Sequence, residues 1–187
     1  MLESGDPSRE ADAMEFLATA ECRDYARRIG AIKDLVDPRA LGPMKRAIDF
    51  TYRSRLQNAR GVATEIASYL GNFTSALLWT HGLVSGDRTQ EQGASDDWMR
   101  YGRWRTKLGA AGPLGELPGQ LFDAPERAEL AEGIAWTLYT GSDAVILPRP
   151  TRVIVHLSHD DLISIHCRSA PSGLAALEKL GLRRRRA

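Results

Sequence analysis

Residues 152–168 read RVIVHLSHDDLISIHCR, and the folding of this stretch decides the architecture. Bent around His159-Asp160-Asp161, it sets Leu157 against Ile163 and Val155 against Ile165. Side chains alternate across a strand, so one face collects Val153, Val155, Leu157, Ile163, Ile165 and Cys167. The opposite face collects Arg152, His156, Ser158, Ser164, His166 and Arg168, interrupted by Ile154 and Leu162. A slip of one residue would mix polar and apolar groups on both faces, so burial selects the first pairing. The stretch predicts a half-buried hairpin whose open side carries histidines, serines and arginines.

Outward from the hairpin, Ala144–Leu147 reads as a strand stopped by Pro148-Arg149-Pro150. Ala124-Pro125 opens a helix that runs through Leu130, Ile134 and Leu138 to Gly141. Ser172 to Leu180 reads as a last helix and Trp98 to Leu108 as a short one, while Ser85–Asp96 is a polar loop and Ala110–Gln120 an irregular connection. The apolar run Phe73–Thr80 is flanked by glycines, which favours a buried strand over a helix.

The N-terminal third reads as helical. Asp6-Pro7 is a start signal, and Met14, Ala18, Cys22, Tyr25, Ile29, Ile32 and Val36 recur at spacings of three and four. Asp37-Pro38 ends that segment. A second stripe follows with Met44, Ile48, Tyr52, Leu56, Ala59, Val62, Ile66 and Leu70, stopped at Gly71-Asn72. The expected fold is therefore α+β. An N-terminal antiparallel helical hairpin over residues 1–72 packs with an α+β unit over 73–182, followed by a basic tail at 183–187. The sheet is expected to be small and mostly antiparallel, roughly three to four strands, with helices on one face.

Composition bounds the function classes. The 187 residues are 43% hydrophobic and 26% charged, as in ordinary soluble domains. A formal net charge of +1 gives no global field toward nucleic acid or anionic membrane. Cys22 and Cys167 lie far apart with no metal-ligand spacing, and two cysteines are too few for a disulfide scaffold, which suits a reducing compartment. The start MLESGDPSREADAMEF lacks the basic and apolar regions of a signal peptide, and no run approaches the ~20 apolar residues of a membrane span. A cytoplasmic location is expected, with no membrane partner. Abundant Ala, Arg, Gly and Leu suggest a GC-rich bacterial genome.

Three groups of residues are candidates for function. On the hairpin, His156, His166 and Ser164 with Arg152 and Arg168 suit metal-independent RNA cleavage, histidines moving protons and arginines holding phosphate. The bland alternative is a polar face kept for solubility. Arg46, Arg53 and Arg60 recur every seven residues, so a helix would line them up as a phosphate-binding stripe or as a solvated face. Trp98, Tyr101, Arg103, Trp104 and Arg105 mix aromatics with arginine, as protein interfaces and base-stacking surfaces both do.

No phosphate-binding glycine loop, zinc-protease helix or nucleophile elbow is present in the sequence. Neither a cofactor nor a metal is expected, and the reading leans away from an enzyme. The leading reading is a bacterial accessory, adaptor or regulatory protein acting through protein–protein contacts, with a homodimer compatible. The alternative is an RNA-binding or RNA-cleaving module on the His/Ser/Arg sheet face. A weaker third is an enzyme for a small substrate.

Overall fold

The computed structural model describes residues 14–31, 44, 46–52, 58–81, 96–167 and 174–185. In chain order the elements are β1 (Glu15–Leu17), α1 (Thr19–Arg28), β2 (Arg46–Thr51), α2 (Ala59–Tyr69), β3 (Ser75–Thr80) and α3 (Asp96–Lys107). They continue with β4 (Gly119–Asp123), α4 (Arg127–Thr140), β5 (Ala144–Arg149), β6 (Val153–Ser158), β7 (Leu162–Cys167), α5 (Ala175–Lys179) and β8 (Arg183–Arg184). One 8-stranded antiparallel sheet runs in the order β1-β4-β3-β5-β6-β7-β2-β8.

The hairpin takes the register that its apolar pattern demands. Val155 pairs with Ile165, His156 with Ser164 and Leu157 with Ile163. Asp161 closes the turn with a φ of 58°, a left-handed conformation that Asp tolerates better than most residues.

The N-terminal helical hairpin does not form. The first described element is a strand, β1, and α1 spans only Thr19–Arg28. The start of the second expected helix is replaced by β2, which pairs along its whole length with β7. The reason lies in the numerology of the stripe. Residues four apart, such as Ile48 and Tyr52, share a face in a helix and also in a strand. Phe50, buried between them on that face, breaks the helical pattern and completes the period of two. The later part of the stripe is helical, as α2, capped by the Asn58 side chain accepting from the Gly61 N–H at 3.1 Å. Ile32, Val36, Arg53 and Leu56 of the two stripes lie outside the described residues.

The sheet is also larger than expected, because β1, β2, β4 and β8 carry too few alternating apolar residues to announce themselves. Arg183–Arg184, read as part of a basic tail, pair as β8 with Thr51 and Phe50.

Helices cover both faces of the sheet, not one. On the first face Phe50, Leu78, Phe122, Ile146, Val155 and Ile165 lie beneath α2 and α4, joined by Leu177 of α5. Each such side chain, fully buried, contributes on the order of 1.5–3 kcal/mol. Arg127 at the start of α4 donates to the carbonyls of Ala67 and Gly71, closing the exposed C-terminal end of α2. On the second face Leu77, Trp79, Val145, Leu147 and Ile154 lie beneath α1, which buries Cys22, Tyr25 and Ala26. This second core ends at β6. Farther across the same face, on β6, β7 and β2, the side chains turn polar. Among the described residues no helix is long and apolar enough to cross a membrane.

Candidate functional site

Strand pairing writes the polar half of the second face as rows across the sheet. Val145 on β5 pairs with His156 on β6, His156 with Ser164 on β7, and Ser164 with Asp49 on β2. A neighbouring row holds Ile154, His166 and Ala47. Paired residues have side chains on the same side about 5 Å apart, and diagonal ones about 7–8 Å. His156, Ser164, His166 and Asp49 therefore form one patch. Ser164 is buried, and the two histidines and Asp49 are half-buried.

A third histidine joins from another strand. His81 follows β3, anchored by its backbone N–H donating to the Asp143 carbonyl at 2.9 Å. Its ring stacks on that of His156, with centroids 5.7 Å apart and planes 9° from parallel, while Trp79 meets it edge-on at 6.1 Å. The His81 Nε2 is buried with no hydrogen-bond partner among the described residues. Burial pushes the His81 pKa below its ordinary value, and nearby Asp143 offsets part of that. His166 is also pushed down, first by burial and then by His156, with Asp49 pulling the other way. Both shifts favour the neutral imidazole.

His159, the fourth histidine, is set differently. It sits exposed in the β6–β7 turn with Nδ1 2.9 Å from both carboxylate oxygens of Asp143, and its N–H donates to Asp143 Oδ1 at 2.8 Å. The sequence reading of a turn residue holds. The carboxylate bonded to its amide is Asp143, not its neighbours Asp160 and Asp161. The Asp143 carboxylate raises the His159 pKa. Burial would raise Asp143 itself, but the His159 N–H and ring hold it below its ordinary value.

Two arginines were expected beside the histidines. Arg152 is exposed before β6 begins, and Arg168 lies outside the described residues. The Arg46, Arg53 and Arg60 stripe does not form on one helix: Arg46 starts β2, whereas Arg60 is exposed on α2, 3.9 Å from Glu132. Arg53 and the Arg46 side chain lie outside the described residues. In their place the C-terminal strand brings Arg183, Arg184 and Arg185 to a groove of about 890 Å³ beside Ala47 and Asp49.

The aromatic segment divides between interior and surface. Tyr101 is buried on α3, its hydroxyl donating to Gln120 Oε1 at 3.4 Å. Arg105 is buried too, donating to the Leu117 carbonyl with its guanidinium 5.2 Å from the Phe16 ring centroid. Trp98 and Trp104 are half-buried and Arg100 and Arg103 exposed. The rings of Trp98, Tyr101, Trp136 and Tyr139 form a ladder from α3 to α4 with successive centroids 6.1, 6.3 and 5.9 Å apart. Among the described residues the exposed large hydrophobic side chains are Met99 (48%) and Tyr139 (42%), one on each of these helices.

His81 and Asp49 were missed from sequence as members of this face, and Arg183 and Arg185 were read only as part of a basic tail. Each is remote in the chain from the hairpin, and only the strand order brings them to it. Among the described residues no three His, Cys, Asp or Glu side chains are gathered as a metal ion would need. No protein-family model, curated protein or solved structure matches the chain.

Proposed function

We propose that this chain is a non-enzymatic accessory or adaptor protein that works by contact with another protein, through the face shared by α3 and α4. The observation that carries this reading is that the exposed large hydrophobic side chains among the described residues, Met99 and Tyr139, lie on two helices that an aromatic ladder joins. Trp, Tyr, Met and Arg are the residues enriched at protein interfaces, and Trp, Tyr and Arg dominate binding hot spots. This face offers Trp98, Met99, Arg103, Trp104 and Tyr139 together. A cytoplasmic location goes with the reading, since Cys22 is a buried free thiol. The test is affinity capture from the source cell, comparing the natural chain with Met99→Ser/Tyr139→Ser. Both side chains are exposed, so the variant keeps its melting temperature. Loss of one dominant partner, or of self-association in sedimentation, supports the reading. A capture profile and a sedimentation profile unchanged by the double substitution overturn it.

A second reading has its own observation, the convergence of His81, His156 and His166 with Ser164 on one sheet face. That supports a face that binds RNA or cleaves it without a metal. Incubation with RNA in EDTA, repeated with His156→Ala and His166→Ala, checks it. Neither cleavage nor salt-dependent binding by the natural chain would end it.

A further inference from the structure

We infer that the groove between β2 and β8 is a phosphate-holding subsite continuous with the histidine face, for a phosphate ester such as a nucleotide or a single-stranded RNA. The inference rests on the second reading above and adds to it the part that takes the charge.

The placement follows from register. Arg183 pairs with Thr51 and Arg184 with Phe50, and the Arg185 N–H donates to the Asp49 carbonyl at 2.8 Å. Phe50 points into the first core, so Arg184 leans to that side of the edge. Arg183 and Arg185 fall on the opposite side, the side of Thr51, Asp49, Ser164 and His156. One row therefore runs Arg185, Asp49, Ser164, His156 across the sheet, about 14 Å from end to end at the strand spacing. Arginine side chains shorten that span.

The groove lies at the edge of the sheet. Its volume of about 890 Å³ is lined by Ala47, Ile48, Asp49, Glu178, Leu182 and Arg183–Arg185, and its size is that of pockets that accept small organic ligands. Ala47, which lines the groove, is the cross-strand partner of His166, so that histidine lies one strand away from the lining. The lining holds two carboxylates, Asp49 and Glu178, and three arginines, which leaves it net positive. Among the described residues none of Arg183, Arg184 and Arg185 makes an ion pair. Their forks are therefore available to the oxygens of a phosphate, the geometry that arginine matches with two parallel hydrogen bonds.

Charge on an edge strand has another use, since it discourages strand addition and aggregation. The experiment separates the two. Binding is measured by anisotropy with a labelled single-stranded oligouridine and by calorimetry with adenosine monophosphate. The proteins compared are the natural chain, Arg183→Gln/Arg185→Gln and, as a remote control, Arg100→Gln. Glutamine keeps the edge polar, so the double variant stays monodisperse. The expected result is at least a tenfold loss of affinity for the double variant, with a shallower salt dependence for RNA and no change for the control. Binding of both ligands indicates a phosphate pocket, and binding of RNA alone indicates a strand track; either supports the subsite. Unchanged affinity in the double variant overturns the subsite while the histidine reading stands, and aggregation with unchanged affinity assigns the arginines to edge protection. No binding of either ligand by the natural chain overturns both.

Discussion

His81 and His156, 75 positions apart, stack ring on ring at 5.7 Å. The contact is made because β3 and β6 lie on either side of β5: Val145 pairs with Trp79 and His156, and His81 follows two residues beyond Trp79. It draws His81 into a patch already holding His166, where burial favours the neutral form of both and His156 adds to it for His166. In the natural chain both His81 and His166 are expected to titrate below 6.5, followed by NMR of the ring Cε1–H signals. Replacing His156 with Ala removes one of the two downward influences on His166. Its titration then moves up toward 6.5 yet stays below, because burial remains. A His166 midpoint that ignores the substitution would show that the two rings do not sense each other.

Lowered histidine pKa values have a sign for stability. The unfolded chain takes up protons on His81 and His166 near pH 6.5 while the folded chain resists, so the two cost stability as pH falls through that value. The His159–Asp143 clasp acts in the opposite sense. His159 is raised in the fold, so its contribution is complete below 6.5 and fades as pH rises through its folded value. Asp143 is lowered, so its contribution is present above 3.8 and fades as pH falls through its folded value. Asp143→Asn should therefore lower the melting temperature most between about pH 4 and 6.5, and least well above that. The pair is largely exposed on the His159 side, so the effect is small and shrinks with salt. A gap that widens from pH 7 to 9 would contradict the assignment.

How much of this was legible in the sequence depends on the kind of signal each element carries. The hairpin at 152–168 announces its own register because six apolar side chains must fall on one face. Gly71 and Gly141, each placed after the last helical residue with φ near +65°, were readable as stops since glycine tolerates the left-handed cap. β2 was not readable: Ile48 and Tyr52 fit both periods, and only Phe50 tells them apart. β4, with the sequence Gly-Gln-Leu-Phe-Asp, is too short and mixed to stand out. His156, Ser164 and His166 were found because one hairpin carries them. Their partners His81, Asp49 and Arg185 come from three other strands, and strand order is set by the sum of packing choices, not by any local pattern.

The first turn of α1 meets β4 without spare room. A Cβ on Gly119 would lie 2.3 Å from the Cys22 Sγ and 2.9 Å from the Leu17 Cβ. Gly119→Ala is expected to cost about 1–3 kcal/mol by overpacking, read from urea unfolding. Cys22→Ala in the same chain removes the nearer obstacle and restores part of the loss. The remainder stays with Leu17, whose Cβ belongs to β1. Strict additivity of the two substitutions, within about 0.5 kcal/mol, would place them out of contact.

Arg103 and Arg105 stand two residues apart in the same aromatic segment, and the fold gives them opposite roles. Arg105 is inside, where its guanidinium holds the Leu117 carbonyl and lies against the Phe16 ring. Replacing it with Met keeps the bulk but leaves that carbonyl without its donor, at an expected cost of about 1–3 kcal/mol. Arg103 points to solvent beside Met99, and Arg103→Ala should change stability by less than about 0.5 kcal/mol. If the α3/α4 face binds a protein, the order reverses for that function. Arg103→Ala then weakens partner capture at unchanged melting temperature, whereas Arg105→Met lowers the melting temperature and affects capture only through loss of folded protein. Capture normalised to folded protein, measured below both melting temperatures, separates the two effects. Equal normalised capture by the natural chain and Arg103→Ala would remove this arginine from the interface, and a stable Arg105→Met would mean that its bond to Leu117 holds nothing in place.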